Sequence, residues 1–537
     1  MKRCSLTRVA TALIALTTVT ALVAGCAGSG STSETDASDV TTGLVGNQES
    51  GGDPQSGGTL SFATYNGVSS LDPADRQDGG ATGGNEMAAI YDLLMRYNPE
   101  SKAFDPQLAK SLEANGDNTV WTLKLRDNAR FSDGSAVDGA SVVWSINHYL
   151  EKKGTHTQVW KASVADVQSP DPSTVVFTLK QAWNEFPIMF TTGPGMIVAP
   201  SSMATGVFTP IGAGPFTVEK FASQDELVLA ASPTYWNGKP NLDKLRFPAI
   251  VSEQAKVDAL HAGGIQAAYL RGADAVHNAL SAGDVGYVYT VNMGGVGNIN
   301  QREGRAGADV RVRKAIVAAF NPETFNERVE DGYGMPGSDM FASWSQWHGS
   351  VAGNGYDPEA AKQYLGEAKA DGYDGKLTYV GLNDPAAQRS ALAFQAMLQA
   401  VGFTVEIVYA TSINDLVKAM YAKHDYDIGY AGFNVLDESP FVRMYGNLYS
   451  ESSSNVLGYK NATMDLLLAK LQSAASDDDR KKVVEEIQTL VNETAPMVTV
   501  NTGKYFIPWS KNVHGITPSA DGIMLFGNAW MAPDSAS

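Results

Sequence analysis

Between Lys376 and Tyr430 the chain alternates between two hydrophobic periods, and that alternation constrains its fold more than any other feature. Lys376–Val380, Phe403–Tyr409 and Tyr426–Tyr430 are short strand-like runs. Ala386–Ala400 and Ser412–Ala422, between them, are helical in length and spacing. Strands alternating with helices of this length imply a βαβ layout and a largely parallel sheet, hence an α/β fold.

The helical rhythm starts earlier, near Asp309, which can cap a helix whose apolar face is Val312, Ile316 and Phe320. Asn321-Pro322-Glu323 and Asp357-Pro358-Glu359 restart helices with proline at the first helical position. A further helix runs from Ser476, a capping residue, to Val491. Residues 58–250 read differently. Gly58–Ala63, Thr174–Lys180, Phe216–Phe221 and Glu226–Ala230 are strands, and a helix lies near Ala140–Tyr149. Val120–Arg126 places Trp121, Leu123 and Leu125 on one side, the mark of a half-buried strand. Met497–Pro533 is strand- and loop-like again and is expected to return to the first half.

At 537 residues the chain has length for about three folding units. An apolar share of 43% and a charged share of 18% exclude wholesale disorder. A net charge of −18 argues against nucleic acid as the main partner, because phosphate binding needs a basic surface.

The two cysteines, Cys4 and Cys26, both precede the body, which excludes a thiol metal site or cysteine nucleophile there. Residues 1–25 carry Lys2, Arg3 and Arg8 and no acid, followed by an apolar run from Val9 to Ala24. That run is short for a membrane span and reads as a secretory leader. It ends in Val23-Ala24-Gly25-Cys26, which resembles the bacterial lipobox, whose cysteine becomes the lipidated first residue. Residues 26–57 are then expected to be a flexible tether rich in Gly, Ser, Thr and Asp, since they carry almost no large apolar side chains to offset the entropy of ordering. Such a coil of about 30 residues spans roughly 30 Å.

Catalytic and nucleotide-binding motifs are missing. No H-E-x-x-H, G-x-S-x-G or phosphate-loop pattern occurs. Gly332–Gly337 spells G-x-G-x-x-G, but it follows a helix and carries Pro336 where a helix should begin, so it reads as a turn. No cofactor or metal is implied. Trp344 and Trp347, in the loop Met340–Gly353, either anchor that loop or wall a ligand. Asp477-Asp478-Asp479 suits a helix start.

Several ordered blocks carry a family resemblance. They are Leu71-Asp72-Pro73-Ala74; Leu108–Ser111 followed by Val120–Gly134; Gly212-Ala213-Gly214-Pro215-Phe216; Tyr235-Trp236-Asn237-Gly238-Lys239-Pro240; Asp309–Lys314; Tyr356-Asp357-Pro358; and Tyr426-Asp427. In these the chain resembles the extracytoplasmic solute-binding proteins of ABC importers, of the dipeptide- and oligopeptide-binding type. The resemblance implies a two-lobed, periplasmic-binding-protein-like α/β fold with an extra subdomain inserted in the first lobe. Lobe 1 is expected over 58–290, with the insert at about 103–209, lobe 2 over 291–498, and the return to lobe 1 over 499–537.

It also implies a non-enzymatic role: capture of a peptide-like solute between closing lobes and delivery to a membrane permease, by a monomer held outside the cell membrane through lipidated Cys26. An oligosaccharide or other amine-free solute is the alternative, and a cell-surface hydrolase the alternative from another class. In peptide-binding relatives an aspartate four residues before a proline, in a stretch beginning Tyr-Asp, commonly takes the ligand's amino group. Here that position, four before Pro440, is Leu436, with Asp437 next to it. The resemblance places Phe433 and Asn434 on the ligand wall, with Asp437 a further candidate. Tyr65 and Asn66, ending the first strand, are candidates to face the cleft. Arg302 and Arg443 are candidates for a carboxylate end.

Overall fold

The computed structural model describes residues 41–48, 51–75 and 78–533. The leader and Cys26 lie outside the described residues.

A 12-stranded mixed sheet organises the body. At one end are the parallel strands expected from the βαβ rhythm: Thr404–Ala410, Lys376–Leu382 and Ile428–Ala431. At the other are Ala267–Ala268, Thr59–Ala63, Lys244–Pro248, Glu226–Ala231 and Phe216–Ala222. Two long antiparallel strands join these groups, Val285–Ile299 and Met497–Trp509. The first pairs with Ile428–Ala431 only through Val296–Ile299. The second reaches Ala267 through Trp509. Each long strand therefore belongs to both halves of the sheet.

The ladder between them is interrupted between Val291 and Val296. Met293 there has φ 53, a left-handed conformation that costs a side-chain-bearing residue energy. Gly294 and Gly295 follow it, and a Cβ on either would force a neighbour to move. At Gly294 it would lie 2.1 Å from the backbone nitrogen of Gly503, and at Gly295 2.4 Å from the Tyr430 hydroxyl.

The helices form where caps and apolar spacing predict. Asp309, Asn321, Asp357, Asp384 and Ser476 each accept a backbone N–H in the first turn of the helix that follows. One expected helix differs. Ser412–Ala422 is a short helix, Ile413–Val417, running into a wider turn, Lys418–Lys423, that ends at His424 with φ 53.

A separate four-stranded antiparallel sheet contains Ala109–Ala114, Val120–Leu125, Thr174–Leu179 and Val164–Asp171. Trp121, Leu123 and Leu125 point inward as the alternation requires. They meet Phe177, Phe186 and Phe190 in a core continuous with Phe441, Met444, Leu468 and Ile487 of the C-terminal helices. Trp183 packs edge-on to Phe441, with centroids 5.2 Å apart.

Part of the expected tether is not free chain. Gly43–Val45 pairs antiparallel with Gly286–Val288, and Thr42 Oγ1 lies 2.7 Å from Thr290 Oγ1. An edge strand is held by backbone hydrogen bonds and needs no large apolar side chain to pair.

The sequence blocks have structural reasons. Gly212 and Gly214 lie against the end of helix Gly84–Tyr91, where a Cβ on Gly214 would be 2.5 Å from the Ala89 carbonyl. Arg313 donates to the carbonyls of Thr494, Gly307 and Ala308, fixing its helix to the end of helix Asp477–Thr494. Tyr235 and Trp236 donate to the Asp92 carboxylate at 2.9 and 2.8 Å, and Gln107 Nε2 and Leu93 N–H also donate to it. Asp92→Asn turns one acceptor into a donor facing the tyrosine and indole donors. Chemical denaturation is expected to show a loss of about 2 kcal/mol, whereas an unchanged midpoint would mean those donors find other partners.

Candidate functional site

A cavity of about 590 Å³ opens where the long strands cross between the two halves of the sheet. Tyr65, Asn66, Glu253 and Arg271 wall it from one half. Glu330, Tyr333, Arg389 and Tyr430 wall it from the other, and Asn501–Tyr505 of the second long strand pass along it. Its mixture of aromatic rings, backbone and a few charged groups suits an organic solute.

The position of the wall follows from the strands. Thr59–Ala63 ends in the loop bearing Tyr65 and Asn66, and Ala267–Ala268 runs beside it into Arg271. Lys256, buried beneath, donates to the carbonyls of Tyr65 and Tyr269, and burial lowers its pKa to about 8. Glu253 accepts the backbone N–H groups of Arg271 and Gly272, which fixes the turn before helix Ala273–Ser281. The Arg271 guanidinium lies 4.8 Å from the Tyr65 ring centroid and 4.5 Å from that of Tyr505, and it donates to the Tyr505 hydroxyl at 2.9 Å. Tyr505 in turn donates to Asn434 Oδ1 at 2.8 Å. This chain of contacts crosses from one half of the sheet to the other.

On the opposite wall Glu330 accepts from Asn501, and burial pushes its carboxyl up to about 7. The Gly332–Gly337 motif opens no helix, as expected, and runs from a turn at Gly332 into a short strand. Its Tyr333, Gly334 and Met335 line the cavity, and Met335–Pro336 pairs with the second long strand.

Tyr65 and Asn66 are thus in the cavity wall, and Asn434 is one hydrogen bond behind it. Asn434 has φ 50, a conformation asparagine tolerates, and its N–H and that of Phe433 both donate to the Met293 carbonyl. Phe433, Asp437, Trp344 and Arg302 are not in the wall. Phe433 is buried in the core. Asp437 accepts from Asn292 and Ser345, and its carbonyl takes Gln346 and the Trp347 indole, so it holds the loop over 345–347. Trp344 is half-buried, with an indole N–H that has no partner. Arg302 donates to the carbonyls of Val456 and Asn455 and to Asn300 Oδ1. Arg443 pairs with Asp521 at 2.7 Å. Leu436, at the usual aspartate position, is buried in the apolar cluster of Leu60, Tyr289 and Ile507.

Among the described residues no three His, Cys, Asp or Glu side chains converge as a metal site, and no helix is long and apolar enough to cross a membrane. Sequence reasoning missed Arg271 and Glu330. Each is one charge among many in the sequence, and only the meeting of the two halves brings them to one cavity.

The comparisons with known proteins agree with this architecture. A candidate ABC transporter peptide-binding protein of Brucella ovis is 29% identical over 60% of this chain and 64% of its own length. The aligned part of the chain therefore spans less than two thirds of that relative. The dipeptide-binding protein of Escherichia coli is 24% identical over 84% of this chain and 90% of its own. The oligopeptide-binding protein of Bacillus subtilis, solved with a nonapeptide, superposes with a TM-score of 0.76 at 20% identity, covering 90% of this chain and 100% of that one. These are two-lobed α/β proteins, and this chain shares their fold. Residues 103–455 match the signature of the bacterial extracellular solute-binding proteins, family 5, and the chain belongs to that family.

Proposed function

We propose that the protein captures a peptide-like solute between its two lobes and hands it to the membrane permease of an ABC importer, held at the outer face of the membrane by a lipid on Cys26. The observation that carries this reading is the cavity at the crossing strands, walled from both halves of the sheet. A solute there touches both lobes, so it stabilises the closed form by its differential contacts. Names of relatives support the solute class, since two are peptide- or dipeptide-binding proteins. In this reading the long strands are the hinge, and Tyr65, Asn66 and Asn434 belong to the ligand shell.

A second reading, an amine-free solute such as an oligosaccharide, is favoured by one observation: Leu436 and its apolar surroundings offer no carboxylate at the family's amine position. Native mass spectrometry of the full chain, purified in detergent without denaturant, separates the two. Released peptides are the expected result. A released sugar overturns the peptide assignment, and failure to retain any solute from a peptide or oligosaccharide mixture overturns capture itself.

A further inference from the structure

Arg271, like Arg126 over Trp236, is held by aromatic rings rather than by a carboxylate, and of the two it is Arg271 that lines the cavity. Arg443 faces Asp521, Arg480 faces Glu185 and Asp477, and Arg302 and Arg313 are spent on carbonyls. Among the described residues no carboxylate lies within ion-pair distance of the Arg271 guanidinium. Its neighbours are two tyrosine rings and one hydroxyl. The rings fix the plane of the fork and the hydroxyl takes one N–H. The remaining N–H groups are not among the buried polar atoms left without a partner, and the residue forms part of the cavity wall. A planar, partly desolvated guanidinium presented this way is complementary to a carboxylate, which it pairs with through two parallel N–H···O bonds.

We propose that Arg271, clamped between Tyr65 and Tyr505, is the anion receptor of the cavity and takes a carboxylate of the solute. The assignment rests on the reading of this cavity as the solute site. It explains why Tyr505 is tied to Asn434: the arginine that grips the solute is linked through one hydroxyl to the opposite half of the sheet. It also makes solute charge a criterion of selection. A solute whose carboxylate is masked leaves the guanidinium desolvated and unmatched.

The test uses the full chain, stripped of co-purified solute, and native mass spectrometry with paired probes. Tripeptides are offered as free acids and as C-terminal amides, and small organic acids as acids and as methyl esters. The wild type is expected to retain each acid at least tenfold over its neutral partner. Arg271→Gln is expected to reduce that ratio below twofold, and Arg271→Lys to recover part of it.

Equal retention of acid and neutral partners by the wild type, or a preference that survives in Arg271→Gln, overturns the assignment and leaves the cavity as a solute site. A preference shown only by the organic acids, with no peptide retained, supports Arg271 and overturns the peptide reading. Retention of no probe overturns both. If Arg271→Gln does not fold, Arg271→Lys carries the test, because it keeps a charge but not the planar fork: a lowered acid preference supports the assignment and an unchanged one overturns it.

Discussion

Arg443→Met is expected to destabilise the protein by about 3 kcal/mol, the lower end of the cost of removing one partner of a buried ion pair, because Asp521 is buried and Arg443 half-buried. Arg443 lies on helix Pro440–Leu448, and its partner Asp521 lies in the C-terminal return segment. Around them are further acids. Glu438 accepts the Asp521 N–H, and its other oxygen lies 3.4 Å from the Tyr289 hydroxyl. Asp78 takes His156, Tyr149 and the Gly193 N–H. Without the guanidinium, Asp521 stays buried beside Glu438 and loses its ion-pair partner. Adding Asp521→Asn to Arg443→Met removes one of these charges and suits the left-handed backbone there, φ 54, so the double variant is expected to recover a substantial part of the loss. Urea denaturation of the wild type and the variants measures this. A loss under 1 kcal/mol in the single variant would show that water or a rearranged side chain replaces the arginine.

The same cluster sets a pH dependence. Burial raises the Glu438 carboxyl to about 7 from an ordinary 4.5, and Asp521 and Asp437 push it in the same direction. The folded state therefore holds more protons than the unfolded one between about 4.5 and 7, and stability falls as pH rises through that window. Glu185 and Glu330, also near 7 mainly through burial, act in the same sense. Asp78 works oppositely. Burial would raise it, but His156, Arg443 and the Gly193 N–H outweigh burial and hold it at about 2. Its contribution is present above its unfolded value near 4 and is lost as pH falls toward 2. Glu438→Gln should flatten the upper limb, and Arg443→Met should steepen it.

Wherever structure is set by local chemistry, it could be read from the residues. The caps Asp309, Asn321, Asp357 and Ser476 each begin a helix, and Val120–Leu125 is a strand with the predicted face inward. Family blocks such as Tyr235-Trp236 were legible as a pattern, although their reason, the Asp92 carboxylate that both donate to, lies far away in sequence. The long strand Val285–Ile299 could be placed only in part. It is buried along nearly its whole length, so it shows no alternation, and Gly294, Gly295 and Gly297 break its apolar run. The site was less legible still. Tyr65 and Asn66 end a recognisable strand, but Arg271 takes its meaning from the aromatic rings of Tyr65 and Tyr505, each more than two hundred residues away from it in sequence.

Gly294→Ala is the second large expected effect, because it acts on the one place where the two halves share strands. The added methyl carbon would lie 2.1 Å from the Gly503 nitrogen and 2.4 Å from its Cα. Both are backbone atoms of the paired strand, so no rotamer change relieves the contact. The strands must separate at the break in their ladder, where the Met293 carbonyl also receives the Phe433 and Asn434 N–H groups. A loss of about 3 kcal/mol in stability is expected, at the upper end of ordinary overpacking. Lobe closure should also fail, leaving the radius of gyration in small-angle scattering insensitive to solute.

Gly366→Ala supplies the contrast. Gly366 is exposed in helix Pro358–Ala370 with nothing within 4 Å of an added Cβ, so alanine there is expected to stabilise the protein by about 1 kcal/mol. If Gly294→Ala also raised stability and left closure intact, the break at Met293–Gly295 would be a passive bulge and the hinge would have to lie elsewhere on the long strands.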